Sequence, residues 1–323
     1  MPYGSGLLTT RDQWYAQTRV QQAIVSNRAM EEPPWYPNIF QEIENDPKRT
    51  FLDIGAYAEL GLLQPKPEGA VPTYDEPFEL IPSHFEFATF GIMTSITLEA
   101  TYEDPMDLMG KLAPMMADSE RVTKDVYYMS TINQGYNPVV TMSDGQPLFS
   151  QNHLLGPIAS GVGPISAIGQ TYSNSLGAVQ LTPESLRSAE LLLALMRSDR
   201  GLPQTRLQMY LMVHPSLDKI AKEVTGSPNA PTSSDNRVNT EHQAATVLSN
   251  QYLVNENAWY LIAAPQGINP QSGQSLITSH KFQNSVKVWY DPPTRNWNIS
   301  DMFRSTWGAR DWRGLVGSQG AGG

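Results

Sequence analysis

Asp144, Ser150 and His153 fall within one ten-residue stretch, and an acid, a hydroxyl and an imidazole are the groups that activate a serine nucleophile. That chemistry also needs the hydroxyl lifted clear of the backbone, commonly on a Gly-x-Ser-x-Gly turn. No serine in the chain has those flanks. A turn in which Ser150 and His153 bond to backbone groups is the plainer expectation. The five histidines, His84, His153, His214, His242 and His280, are never three or four residues apart, and the chain has no cysteine. Zinc, iron–sulfur and thiolate chemistry therefore have no ligand pattern to use. Gly156, Gly161, Gly163 and Gly169 look like a phosphate loop, but no Gly-Lys-Ser/Thr follows and Pro157 and Pro164 interrupt them, so a plain loop is expected. The carboxylate neighbours Glu31-Glu32, Asp75-Glu76 and Glu103-Asp104 are adjacent and point apart, which suits solvation better than proton sharing. No catalytic residue, cofactor or metal is expected.

Charge narrows the partners. The chain of 323 residues carries 22 Lys+Arg against 32 Asp+Glu, a net charge of -10, which repels phosphate backbones. Trp289, Trp297, Trp307 and Trp312, interleaved with Lys287, Arg295, Arg304, Arg310 and Arg313, then read as packing with Arg on aromatic faces rather than a nucleic-acid platform. The longest apolar run, residues 191–196, is far short of the ~20 residues that span a bilayer. No membrane partner is expected.

These side chains must be positioned by elements that the pattern partly shows. Residues 11–30 fit a helix with Trp14, Tyr15, Thr18, Gln22 and Val25 loosely on one face. Nine prolines lie between Pro33 and Pro82 and force extended backbone. Aromatic residues run through the same stretch, including Trp35, Tyr36, Tyr74, Phe78, Phe85, Phe87 and Phe90, so it is an arm that packs on something rather than a disordered linker. Period two at Phe85, Phe87 and Thr89, and again at Ile92, Thr94, Ile96 and Leu98, predicts strands, which with residues 71–81 make a long hairpin. Asp104 and Pro105 then open the longest helix, closed by Gly135, with Leu108, Leu112, Met115, Val122, Val126 and Met129 stepping by three, four and seven on its packing face. Pro114 is expected to kink it. A turn at Ser143-Asp144-Gly145, a helix from Thr182-Pro183-Glu184, a strand over 207–213, a helix opened by His214-Pro215, and strands over 246–253, 258–264 and 285–290 follow. Residues 227–241 read as a long polar loop. Residues 317–323 read as a flexible tail.

This order resembles the major capsid protein fold of tailed bacteriophages. Residues 87–99, Phe-Ala-Thr-Phe-Gly-Ile-Met-Thr-Ser-Ile-Thr-Leu-Glu, followed by Tyr102-Glu103-Asp104, resemble the hairpin strand that leads into the spine helix of that family. Asp144-Gly145-Gln146-Pro147-Leu148-Phe149-Ser150-Gln151-Asn152-His153 resembles the D-G-x-P-L-F-S-x-x-H string of its Mu-like head-subunit branch. Asp199-Arg200-Gly201-Leu202-Pro203, Leu211-Met212-Val213-His214-Pro215-Ser216-Leu217 and Ala258-Trp259-Tyr260-Leu261-Ile262 are similar to the helix–strand–helix and inner strand of the same branch.

The resemblance implies an α+β chain with an N-terminal arm (1–60), an extended E-loop hairpin (61–101), a peripheral domain with the spine helix (102–150), a mixed α/β axial domain (151–284), and return strands to the peripheral domain with a flexible tail (285–323). It implies a shell subunit rather than an enzyme: pentamers and hexamers of one chain closing into an icosahedral head around double-stranded DNA, without specific binding to that DNA. The other implied partners are a scaffolding protein, a portal and a decoration protein, with assembly in the host cytoplasm. In the family the hairpin and arm lie over neighbouring subunits, which places Trp35, Tyr36, Tyr74, Phe78, Phe85, Phe87 and Phe90 at assembly contacts. Self-scaffolded members carry a long charged helical segment before the hairpin, whereas about sixty residues precede it here. The scaffold is therefore expected to be a separate protein, with no N-terminal maturation cleavage. No Lys stands between Glu68 and Glu103, so the Lys–Asn isopeptide lock of some relatives is not expected. Two other readings stay open at this point, a monomeric hydrolase using Ser150, His153 and Asp144, and a capsid decoration protein.

Overall fold

The computed structural model describes residues 35–44, 48–57, 60, 63–76, 79–103, 108–154, 171–198, 208–227, 239–263, 275–283 and 285–321. The expected helix over 11–30, the cap pair Asp104-Pro105, the glycine-rich stretch, Phe78 and most of the 227–241 loop lie outside the described residues. In chain order the elements are β1 (Phe40–Glu42), β2 (Phe51–Tyr57), β3 (Glu79–Glu86), β4 (Ala88–Ile96), α1 (Leu98–Tyr102), α2 (Leu108–Asn133), β5 (His153–Leu154), β6 (Thr171–Tyr172), α3 (Pro183–Leu195), β7 (Met209–Val213), α4 (Asp218–Gly226), β8 (Thr246–Ser249), β9 (Trp259–Ala263), β10 (Leu276–Phe282), β11 (Lys287–Asp291), β12 (Asn296–Ala309) and β13 (Leu315–Ser318).

β12 organises the first half of the fold. Along one edge its early residues pair antiparallel with β11 and its late residues with β10, while β4 runs antiparallel along the other edge from Ile96↔Trp297 to Ala88↔Ser305. β1 adds in parallel to β10. α2 lies across this sheet, and the contact is aromatic. Phe90 of β4 meets Tyr127 of α2 at 4.6 Å and stacks on its cross-strand partner Phe303 at 5.0 Å, and Tyr127 and Tyr128 meet Trp307 at 5.5 and 5.6 Å. Aromatic pairs of this kind contribute beyond their area. α2 continues through Pro114. Thr97 caps α1 by accepting from the Ala100 amide, so Leu98, expected on a strand, begins a helix turn instead.

The second half is a four-stranded sheet in the order β13-β9-β7-β8, with β7 and β8 parallel and the other pairs antiparallel. Every residue of β9 is buried, as a strand covered on both faces requires. α3 starts with a capping box in which Thr182 and Ser185 each hold the other's amide, with Pro183 in the first turn; this pre-forms the helix entry. His214 accepts from the Ser216 amide and turns the chain from β7 into α4. One continuous core joins the two halves, running from Phe40, Tyr128, Met129 and Ile132 through Leu186, Leu211 and Trp259 to Val316.

The C-terminus corrects the sequence reading. Leu315, Val316 and Ser318 are fully buried, and β13 pairs from Leu315↔Ile262 to Ser318↔Trp259. Ser318 Oγ also donates to the Gly177 and Val179 carbonyls. Its glycines suggested a tail, but here they permit close approach: Gly317 lies against Tyr136 and Phe149, and Gly320, at φ +74°, lies against the Asn257 backbone. A Cβ at Gly320 would meet that backbone in a conformation that already disfavours one. Gly320→Ala is expected to destabilise the chain by about 1–3 kcal/mol, read as a lower urea midpoint. An unchanged midpoint would return these residues to a free tail.

Candidate assembly surface and buried polar groups

β2 and β3 form a two-stranded ribbon from Phe51↔Glu86 to Tyr57↔Glu79, with an irregularity between Ile54 and Ala56. The ribbon therefore starts at Phe51, ten residues before the expected hairpin, and β4 belongs to the main sheet. Its root is fastened by a small core of Leu52, Phe87 and Ile277, with Ile43, Ile54 and Phe85 against it. Its far end holds apolar side chains out among charged ones: Leu60 is 55%, Leu63 98%, Val71 86% and Tyr74 89% exposed. A two-stranded ribbon is marginal alone, and such a tip gains from burial against another surface.

The expected assembly residues divide accordingly. Tyr74 stands at the exposed tip. Phe87 is buried, with the Lys281 ammonium 5.4 Å over its ring. Phe85 lies on Gly308, and Phe90 is held by Phe303 and by Tyr127, 4.6 Å away. Trp35 packs edge-on against Phe40 at 6.2 Å, and Tyr36 edge-on against Tyr128 at 4.8 Å. Trp35, Tyr36, Phe85, Phe87 and Phe90 are thus packed within their own subunit. Their aromatic area is used at the ribbon root and against α2, which the sequence could not separate from contacts with a neighbour.

The packing face of α2 is also corrected. Met129 is fully buried and Leu112 half-buried, whereas Met115, Val122 and Val126 are 59%, 39% and 46% exposed. Leu108 opens the helix, and its side chain lies outside the description. The inward face is instead built from Met116, Ala117, Glu120, Asp125, Tyr128, Met129 and Ile132. A 3–4 apolar pattern selected the outward ridge because Glu120 and Asp125 interrupt the inward face. Those polar groups are buried with one another. Lys124 Nζ lies 2.5 Å from Glu120 Oε1 and 5.0 Å over the Phe303 ring. Burial, then the neighbouring Glu120 carboxyl, push Asp301 up to about 6. Burial pushes Asp125 up to about 6 against the opposing pull of Arg121, Trp35 and Lys124. On α3, burial followed by the facing Glu241 carboxyl pushes Glu190 up to about 7.

The Asp144–Ser150–His153 grouping is assembled, but as a fastener. His153 is fully buried, its Nδ1 2.6 Å from Asp144 Oδ2 and its Nε2 3.2 Å from Asn174 Oδ1. Its ring stacks on Trp312 at 4.4 Å and 6°, and the Arg313 guanidinium lies 5.0 Å from the same indole. Asn174 accepts from the Ser150 amide and donates to the Leu148 and Trp312 carbonyls. Ser150 Oγ donates to Gln146 Oε1 and accepts from the Asn152 amide; it does not face the imidazole. A buried ring with both nitrogens engaged has no nucleophile to activate. The cluster ties residues 144–153 to the approach of β13. Trp312 and Asn174 were the members the sequence reading missed, because nothing local marks them. Among the described residues no group of three or more His, Asp or Glu could hold a metal, and no helix is long and apolar enough to cross a membrane.

A β12-centred sheet crossed by one long helix, a two-stranded ribbon and a second mixed sheet make up the architecture of the described residues. Solved structures share this fold. The capsid of a native GTA particle matches with a TM-score of 0.54 at 11% identity, covering 88% of each chain. The capsid of cyanophage P-SCSP1u matches at 0.55 and 11%, covering 89% of this chain and 87% of that one. The procapsid of bacteriophage JBD30 matches at 0.51 and 14%, covering 96% and 76%. No curated protein sequence matches. Residues 81–318 match the family described as phage capsid protein, and the chain belongs to that family. It is a structural subunit of the phage head, located in the virion and assembling with copies of itself; it is not an enzyme.

Two outcomes follow for the buried groups. His153→Ala leaves Asp144 and Asn174 without their partner and is expected to cost about 2–3 kcal/mol, whereas Ser150→Ala costs about 1 kcal/mol or less, both read from urea midpoints. The reverse order, with Ser150→Ala the costlier change, would remove His153 from the centre of the fastener. For Glu190 the folded value of about 7 exceeds the ordinary 4.5, so the folded state binds the extra proton between those values and stability falls as pH rises through that window. His280, lowered to about 4 by burial and then by Lys124, acts in the opposite sense. Glu190→Gln is expected to raise stability at pH 8 and to flatten the pH 4.5–7 slope of the melting temperature. An unchanged slope would remove the Glu190–Glu241 pair from the linkage.

Proposed function

We propose that this chain is the major capsid protein, forming pentamers and hexamers that close into an icosahedral shell around double-stranded DNA. The single observation that carries this is the ribbon, whose root is fastened in its own core while Leu60, Leu63, Val71 and Tyr74 stand exposed at its end. A shell subunit gains a contact on the next copy, one that is repeated throughout the lattice. The net charge of -10 suits a container from which DNA must slide in and out. A separate scaffolding protein, a portal and a decoration protein complete the proposed set of partners, with assembly in the host cytoplasm. The Asp144–His153 string, folded into the buried fastener, supports placement in the Mu-like branch.

Leu63→Asp with Tyr74→Asp tests the reading. Both positions are nearly fully exposed, so the subunit is expected to melt within a degree or two of the parent. Particles or capsomers, read by light scattering and negative-stain images alongside the parent, are expected to be lost. Particles of parental size and yield from the double variant would overturn the role given to the ribbon.

A further inference from the structure

β4 is a long sheet edge with none of the usual protection against pairing. Among the described residues its nine residues, Ala88–Ile96, pair only with β12. A strand bonded on one side turns the alternate backbone N–H and C=O groups to the other side, where they are a template for a further strand. Natural edges are blunted by shortness, charge, proline or a bulge. β1, β8 and β13 are three, four and four residues long, β11 carries Lys287 and Asp291, and the ribbon carries Asp53, Glu79, Pro82 and Glu86. β4, Ala-Thr-Phe-Gly-Ile-Met-Thr-Ser-Ile, has no charge and no proline, and it pairs with β12 over its whole length without a shift. Ile92 and Met93, at its middle and on opposite faces, are 47% and 64% exposed.

The strand is also complementary to itself. Two copies that meet edge to edge about a two-fold axis normal to the sheet run antiparallel, and the pleat keeps inward residues opposite inward ones. The axis then passes beside a residue rather than between two, and Ile92 is the centre that pairs the whole strand. In that register Ile92 meets Ile92 of the second copy, Gly91 meets Met93, Phe90 meets Thr94, Thr89 meets Ser95 and Ala88 meets Ile96. These pairs set small beside large, aromatic beside β-branched and hydroxyl beside hydroxyl, which are favourable cross-strand combinations. No pair brings like charges together.

We propose that the free edge of β4 is a docking site for β4 of a second copy, joining two β12-centred sheets into one across a two-fold axis. The backbone groups that face away from β12 then find partners, and Ile92 and Met93 gain cover on the two faces of the joined sheet. Both α2 helices fall on the same side of it, since each lies on the inward face of its own sheet. Copies of the chain assemble with one another, and the inference asks nothing further of the shell. It depends neither on the ribbon nor on how many subunits make a ring.

Since the chain has no cysteine, a single substitution tests the axis. Ile92→Cys in the full-length, assembled protein sets two thiols across it, where opposed Cα atoms lie ~4.5–5.5 Å apart, within the span of a disulfide. Mild oxidation is expected to give a linked dimer on a non-reducing gel. Ser95 is exposed as well, but its two copies stand about 20 Å apart along the joined strands, so Ser95→Cys is expected to give none. Equal linking of the two variants, or no link from Ile92→Cys, would overturn the proposal. As a second readout, Ile92→Lys sets like charges opposite each other at a half-exposed position. It is expected to keep the parent's melting temperature and to lower the assembled mass read by light scattering; an unchanged mass would overturn the pairing. Slow amide exchange throughout β4 in the isolated subunit would overturn it in favour of a segment of the same chain on this edge.

Discussion

Strand β12 is the constraint on which the architecture depends. Three strands pair with it, the neighbouring β10 and β11 on one edge and the distant β4 on the other, and α2 lies across its inner face. The inner positions Ile299, Asp301, Phe303, Ser305 and Trp307 alternate apolar with polar side chains. Phe303 supports Lys124, and Asp301 faces Glu120. The sheet and helix are thus held together by rings, with carboxyl groups buried between them. Desolvated acids cost free energy unless they share protons or meet a cation, so the aromatic packing has to hold them close.

That mixture explains what the sequence could and could not show. Local signals were legible: Thr182-Pro183 capped α3, Gly145 at φ +76° made its turn, and the WYLIA run was a buried strand. The class of fold was legible through the order of elements and a few strings. The inward face of α2 was not, because Glu120, Lys124 and Asp125 read as solvent-facing in a hydrophobicity pattern while Met115, Val122 and Val126 read as core. β13 was hidden for a similar reason. Leu-Val-Gly-Ser followed by Gln-Gly has the composition of a frayed end, and only the closeness of Tyr136, Phe149 and Asn257 gives the glycines a purpose.

The apparent triad shows how spacing misleads about chemistry. Asp144 and His153 do meet, at 2.6 Å, so proximity in sequence correctly foretold proximity in space. What it could not foretell is that Asn174 and Trp312, 21 and 159 residues away from His153 in the numbering, would enclose the ring. Burial turned a reactive arrangement into a structural one. The arm aromatics show the converse. Trp35, Tyr36, Phe85 and Phe87 were rightly read as needing a surface, and their own subunit provides it.

The pairing of β12 has a consequence for how the protein folds. Ile299 of β12 lies opposite Thr94 of β4, about two hundred residues earlier in the chain. A contact over that separation is made only after the entropy of closing so long a loop has been met, so local pieces such as the β11–β12 hairpin are expected to form first and the β4–β12 edge late. Until that edge closes, the aromatic rings of Phe90 and Phe303 remain open to water, and a half-folded subunit is a sticky one.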